Sequence, residues 1–317
     1  MHLPTRDDVL AAARRIEGHV IRTPILRNAE LDRITGGTIL IKPESLQRTG
    51  SFKFRGATNA LLQLSEEERR AGVVAYSSGN HGQAIAAAAA ALGMQATIVM
   101  PAEAPSVKVD STRRWGATIV PYDRAVDDRE AIARAIAERT GAALIPPFEH
   151  PHVIAGQGTV ALELLEDAGE TVDALLVCTG GGGLVAGCAL AADGVQVYAV
   201  EPEGGDDTVR SLRSGQREVN APGGSTLCDA LLSRQPGILT FAINQARLAG
   251  GLVVSDVEVL AAMAFAFLHL KLVVEPGGAV ALAALLSGRY RAQGQVVGAV
   301  LSGGNVDRAV FARALFI

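Results

Sequence analysis

Cysteine, aromatic residues and a surplus of positive charge are all scarce in this chain of 317 residues. The three cysteines, Cys178, Cys188 and Cys228, are odd in number, widely spaced and set in apolar segments. That pattern argues against a disulfide framework or a thiolate metal site and predicts buried thiols in a reducing cytoplasm. Lys and Arg number 29 against 33 Asp and Glu, so the formal charge is −4. With no basic run and no zinc-finger, RNP or basic-zipper pattern, nucleic acid is not an expected partner. The most apolar stretch, residues 84–92, is too short and too alanine-rich to span a bilayer, so no membrane partner is expected. The opening MHLPTRDDVL is polar and acidic, unlike a signal peptide. A G-x-S-x-G elbow and a P-loop are missing, as are internal repeats, heptads and low-complexity linkers. Few residues follow Asn305, so no appended regulatory domain is expected in the chain.

What is present is apolar and glycine-rich, with 49% hydrophobic residues and 35 glycines. Apolar runs at residues 38–41, 73–76, 96–100, 117–120, 143–145, 174–178, 195–200 and 296–301 read as strands. Helical patterns at 8–16, 83–92, 107–115, 128–139 and 159–167 lie between them, and Ser65 with Glu68 reads as a capping box. Strands that are apolar on both faces and alternate with helices indicate α/β architecture with parallel, doubly covered sheets. The glycines cluster at strand-to-helix turns, where such sheets bind ligands.

Five segments carry possible chemistry. In Ser51-Phe52-Lys53-Phe54-Arg55-Gly56 a lysine stands between two aromatic rings. If buried, its pKa falls and the nucleophilic amine is favoured; if the segment is a surface strand, the rings point away from it. Ser77-Ser78-Gly79-Asn80-His81-Gly82-Gln83 offers hydroxyls and N–H groups at a helix start, either as a carboxylate site or as ordinary capping. Gly180-Gly181-Gly182-Gly183 follows a strand and suits a phosphate. With Leu184 to Ala186 and the later Glu201 it also fits a dinucleotide fingerprint. The loop from Glu201 to Asp207 is either a divalent-cation site or a solvated acidic turn. Ser302-Gly303-Gly304-Asn305 is a glycine turn after a strand. His150 and His152 read as loop residues and His269 as a core or interface histidine, with no metal cluster among them.

Taken in order, the lysine, Ser77–His81, Gly180–Gly183 and Ser302–Asn305 segments resemble the serine/threonine dehydratase and serine racemase family of fold type II pyridoxal-phosphate enzymes. Residues 153–159 and Glu275-Pro276 share the resemblance, which extends over almost the whole chain. It implies a tryptophan synthase β-like fold: two open, mostly parallel twisted sheets flanked by helices. Residues 1–74 and 148–317 would form a large cofactor-binding domain, with 75–147 a small mobile domain. Lys53 would carry pyridoxal 5'-phosphate, Phe52 would lie against its ring, and Gly180, Gly181, Gly182, Gly183 and Leu184 would hold its phosphate. Asn80 would bond the ring hydroxyl and Ser302 would face the ring nitrogen. Ser77, Ser78, Asn80 and His81 would border the substrate carboxylate. Glu201, Gly205 and Asp207 match the divalent-cation ligands (Mg2+, Ca2+ or Mn2+) of metal-dependent members.

The implied reaction is dehydration and deamination of L-threonine or L-serine to a 2-oxo acid and ammonia, in a cytoplasmic homodimer or homotetramer. Ser78 matches the opposite-face base of racemases, which keeps serine racemisation open. Pro146-Pro147-Phe148 instead resembles threonine dehydratases. A 3-hydroxyaspartate dehydratase is the third reading, with Arg129 a candidate for the second carboxylate. A Rossmann-type nucleotide-binding protein is the remote alternative.

Overall fold

The computed structural model describes residues 3–104, 106–221 and 226–316. Nine strands form two sheets among these residues: β1 (Thr38–Pro43), β2 (Val73–Tyr76), β3 (Ala96–Pro101), β4 (Thr118–Tyr122), β5 (Ala143–Leu144), β6 (Ala174–Cys178), β7 (Gln196–Pro202), β8 (Gly250–Val254) and β9 (Val296–Leu301). One sheet has the order β1-β9-β6-β7-β8, the other β4-β3-β2-β5, and every pairing is parallel. β6 and the helix Gly183–Ala191 are buried along their full length, as expected where helices cover both faces of a sheet. No described helix is long and apolar enough to cross a membrane.

Two elements differ from the sequence reading. β8 opens with Gly250-Gly251 and carries little strand signal. A side chain at Gly251 would meet Val209 at 2.6 Å, so close packing explains the glycine. The helix expected from 159 starts at Pro151 and runs to Asp167. Gly156 and Gly158 disguise its first half. They allow close approach, since a Cβ at Gly156 would lie 2.7 Å from the Cα of Gly56, and one at Gly158 2.6 Å from the Gly187 carbonyl.

The Ser65–Glu68 capping box forms. The three cysteines are free and buried. His152 sits in the first turn of the 151–167 helix, not in a loop, and His150 caps that helix through its ring. His269 is exposed and stacks on Phe265 at 4.4 Å, so it is not a core residue.

Parallel strands all send their carboxyl ends the same way. The lysine segment follows β1, the Ser77 loop follows β2, the four glycines follow β6, the acidic loop follows β7 and Ser302 follows β9. All five chemical segments therefore occupy the ligand-binding edges of their sheets.

Candidate active site

Lys53 opens the helix Lys53–Leu61 and is not on a surface strand. Thr49 (φ 62) and Gly50 (φ 73) reverse the chain before it. Ser51 then bridges to Gly303, and the Phe52 N–H donates to the Ser302 carbonyl at 3.1 Å. Lys53 Nζ lies 5.1 Å from the Phe52 ring centroid and donates to the Pro147 carbonyl at 2.9 Å. Burial lowers its pKa to about 8, and the charge of Glu275 offsets only part of that effect.

The helix is anchored two residues further on. Arg55 is fully buried and donates to Glu44 at 2.7 and 2.8 Å and to Glu163 at 2.6 and 2.8 Å. Lys42 donates to Glu163 at 2.7 Å and to the Thr23 carbonyl. Two cations thus face two carboxylates, and the group tethers the lysine helix to β1 and to the 151–167 helix.

Beyond β2, the helix Asn80–Ala91 starts without a side-chain cap. The Asn80 amide instead donates to Glu275 at 2.6 Å and accepts from Asn305 at 2.8 Å. Ser77 Oγ accepts the Gly79 N–H at 3.1 Å, and Ser78 is half-buried beside it. Ordinary capping is therefore not their arrangement, and the N–H groups of the first turn are left for an anion. His81 places Nε2 2.9 Å from the Ile145 carbonyl, and burial pushes its pKa down to about 3. It is a neutral donor and borders the loop without charge. Arg129 stacks over Tyr76, 5.6 Å from the ring centroid, next to Ser77 in sequence.

Gly182 adopts φ 88 and precedes the helix Gly183–Ala191, whose start also has no side-chain cap. Added Cβ atoms at Gly180, Gly182 and Gly183 would meet Leu231, Asn244 and Phe148 at 2.8–2.9 Å, and one at Gly181 would strike the Phe148 ring. The loop is bare because neighbours press on it from behind, and its helix start faces no protein cap. Leu184 is buried in the first turn of that helix, and Ser302 is buried at the end of β9.

Glu201 turns inward and accepts the N–H groups of Thr208 (3.1 Å) and Val209 (2.8 Å), so it does not await a ribose as the dinucleotide reading requires. Asp207 accepts from Asn220 at 2.6 Å through one oxygen; the other is buried without a partner among the described residues. Burial and the Asp207 charge push Glu201 well above the carboxylate range, and burial raises Asp207 to about 6. An orphaned carboxylate oxygen beside a second buried acid suits a cation. No group of three or more His, Cys, Asp or Glu able to hold a metal occurs among the described residues. A cation there would thus rest on Glu201, Asp207, the Gly205 carbonyl and solvent.

Glu275-Pro276 entered the sequence reading only as part of the family resemblance, with no role given to Glu275, which precedes the helix from Pro276. It is buried, bonded to Asn80, and raised to about 7 chiefly by burial. Thr240 and Asn244 gave no motif signal; Asn305 closes the Ser302–Asn305 motif, but its bond to Asn80 was not foreseen.

Fold and site together define an α/β enzyme scaffold with a half-buried lysine and two uncapped helix starts. The chain belongs to the family described as "Pyridoxal-phosphate dependent enzyme", whose profile matches residues 16–303. It is 48% identical to an L-threo-3-hydroxyaspartate ammonia-lyase from Pseudomonas sp, over 99% of each chain. It is 44% identical to a serine racemase from Schizosaccharomyces pombe, over 99% of this chain and 98% of that one. The solved threonine deaminase from T.th. superposes with a TM-score of 0.89 at 43% identity, covering 96% of this chain and 99% of that one. These neighbours share the fold type II architecture expected from the motifs.

Proposed function

We propose that this chain is an ammonia-lyase for 3-hydroxyamino acids, converting L-serine or L-threonine to a 2-oxo acid and ammonia. The observation that carries the proposal is the half-buried Lys53 amine, its pKa lowered by desolvation to about 8, beside Phe52 and the Pro147 carbonyl. Pyridoxal 5'-phosphate, when bound, supplies the electron sink that weakens bonds to the substrate α-carbon. Lys53 would hold the cofactor through Nζ and, once the substrate's amino group has displaced it, its neutral amine would take the α-proton. Gly180 to Leu184 hold the phosphate, Phe52 flanks the ring, Asn80 bonds its hydroxyl, and Ser302 presents a neutral group to its nitrogen. Ser77, Ser78, Asn80 and His81 border the substrate carboxylate at the uncapped helix start. Residues 75–147 act as the small domain that carries this loop. Glu201, the Gly205 carbonyl and Asp207 hold a divalent cation.

A second reading is favoured by Arg129. Its guanidinium packs on Tyr76 beside the carboxylate loop, where it suits a second carboxylate, and the 48% identical relative is a 3-hydroxyaspartate lyase. Ser78 supports serine racemisation as a side activity. The enzyme is proposed to be a cytoplasmic homo-oligomer, and exposed Phe267, Leu268 and Val273 offer apolar surface for a second copy.

One substrate panel tests these readings. L-Serine, L-threonine, D-serine and both 3-hydroxyaspartate diastereomers are assayed for 2-oxo acid, with D-serine formation followed from L-serine. Turnover of at least one L-hydroxyamino acid is expected; a yellow protein that releases no 2-oxo acid from any of them sinks the lyase assignment.

A further inference from the structure

The Asn80 carboxamide is pinned at both ends by residues from far down the chain. Its Nδ2 donates to Glu275 Oε1 at 2.6 Å, and its Oδ1 accepts from Asn305 Nδ2 at 2.8 Å. Asn305 also donates to the Thr49 carbonyl at 2.8 Å, which fixes its own amide. Glu275 is held just as firmly. It precedes the helix Pro276–Leu286, and its N–H donates to the Gly303 carbonyl at 3.0 Å. A Cβ on Gly303 would run into Glu275 Oε1, so the glycine is what leaves room for the carboxylate.

Burying a carboxylate costs free energy, and an apolar residue in its place would avoid that cost. Glu275 is nonetheless only 5% exposed, with its carboxylate turned to Asn80. The chemistry of the group explains its presence. An ionised carboxylate accepts hydrogen bonds and donates none. It therefore admits Asn80 in one orientation only, with the NH2 towards Glu275 and the oxygen towards Asn305. The reversed amide would set oxygen against oxygen and NH2 against NH2. With its oxygen and one N–H committed, Asn80 keeps a single N–H without a partner among the described residues. The plane of the amide fixes where that N–H points. Asn80 is half-buried at the start of its helix, so the N–H remains within reach of a ligand.

We propose that Glu275 is a positioning residue for the cofactor, holding the Asn80 carboxamide so that its remaining N–H meets the ring hydroxyl. This rests on the reading of Asn80 given above. Glu275 acts here only through Asn80. A purely structural glutamate would instead affect every ligand of the site alike.

The test compares the full chain with Asn80→Ala, Glu275→Leu, Glu275→Gln and the double variant Asn80→Ala/Glu275→Leu. Cofactor-free protein is titrated with pyridoxal 5'-phosphate and with 3-deoxypyridoxal 5'-phosphate, which lacks the ring hydroxyl. The work is done at about pH 8, above the Glu275 value of about 7, so that the carboxylate is ionised. Each variant is scored by the ratio of its two affinities. Glu275→Leu should lower the preference for the hydroxylated ligand about fivefold to tenfold, the size of one hydrogen bond. Glu275→Gln restores an acceptor oxygen and should keep most of that preference. In the Asn80→Ala background, Glu275→Leu should change the ratio no further, because the group it orients is gone. A ratio unchanged by Glu275→Leu, an equal loss for both ligands, or additive effects in the double variant overturns the proposal. Glu275→Ser, too short to reach Asn80, decides the matter should the leucine variant fail to fold. If Asn80→Ala itself leaves the ratio unchanged, the reading of Asn80 falls, and the proposal with it.

Discussion

Lys53 Nζ donates to the carbonyl oxygen of Pro147 across 94 residues of sequence, at 2.9 Å. Pro147 lies on the segment that returns from the smaller sheet, just before Phe148 covers the glycine loop. The amine therefore stands where the two sheets' connections meet, held by a single neutral acceptor.

That setting makes cofactor capture pH-dependent. The folded value of about 8 is below the ordinary 10.5, so the amine is half neutral near pH 8. Formation of the visible band from added pyridoxal 5'-phosphate should rise between pH 7 and 9 and level off above, in step with neutral amine. The linkage has a definite sign: between about 8 and 10.5 the unfolded chain binds more protons, so cofactor-free protein gains stability as pH rises through that window. Lys53→Ala should abolish both the band and turnover. Retained activity in that variant would refute the assignment.

Arg55 should matter to stability more than any exposed ion pair. Arg55→Ala leaves Glu44 and Glu163 buried opposite Lys42 alone, and a loss of roughly 3–5 kcal/mol is expected from chemical denaturation. Arg70→Ala, which breaks an exposed pair with Glu66, should leave the unfolding midpoint unchanged.

Gly181 and Phe148 should be coupled. Gly181→Ala places a methyl group against the Phe148 ring and should destabilise the chain, whereas the double variant with Phe148→Ala relieves the clash. A double-mutant cycle should give a coupling of about 1–3 kcal/mol. Simple additivity would show that the ring moves aside freely.

Cation binding should weaken in acid. Asp207 is raised to about 6 and Glu201 is raised as well, so protons compete for the site as pH falls through 6. Magnesium should raise the thermal midpoint at pH 8, much less so at pH 5.5, and not at all in Asp207→Asn. A chelator that changes neither midpoint nor rate would remove Glu201 and Asp207 from the metal site.

The sheets were legible because buried parallel strands print long apolar runs, as β6 and β9 do. β8 was hidden because its first two residues are glycines, the second of them placed by close packing against Val209. The 151–167 helix was half hidden for the same reason. In the site, local motifs announced Lys53, the Ser77 loop and the glycine loop. Glu275 and Asn305 lay within segments of the resemblance, but their contacts could not be read that way, because they reach across 195 and 225 residues of sequence. A lone Glu before Pro or an Asn within a helix carries no signature of such a partner.

The three buried cysteines have a practical consequence. Burial pushes Cys188 and Cys228 up to about 12 and raises Cys178 as well, so each stays a protonated thiol at neutral pH. A cysteine introduced on the surface of the Arg129–Thr140 helix would be the one thiol among those described that a labelling reagent readily reaches. The native chain is thus a clean background for a reporter of whether residues 75–147 move when a carboxylate ligand is added.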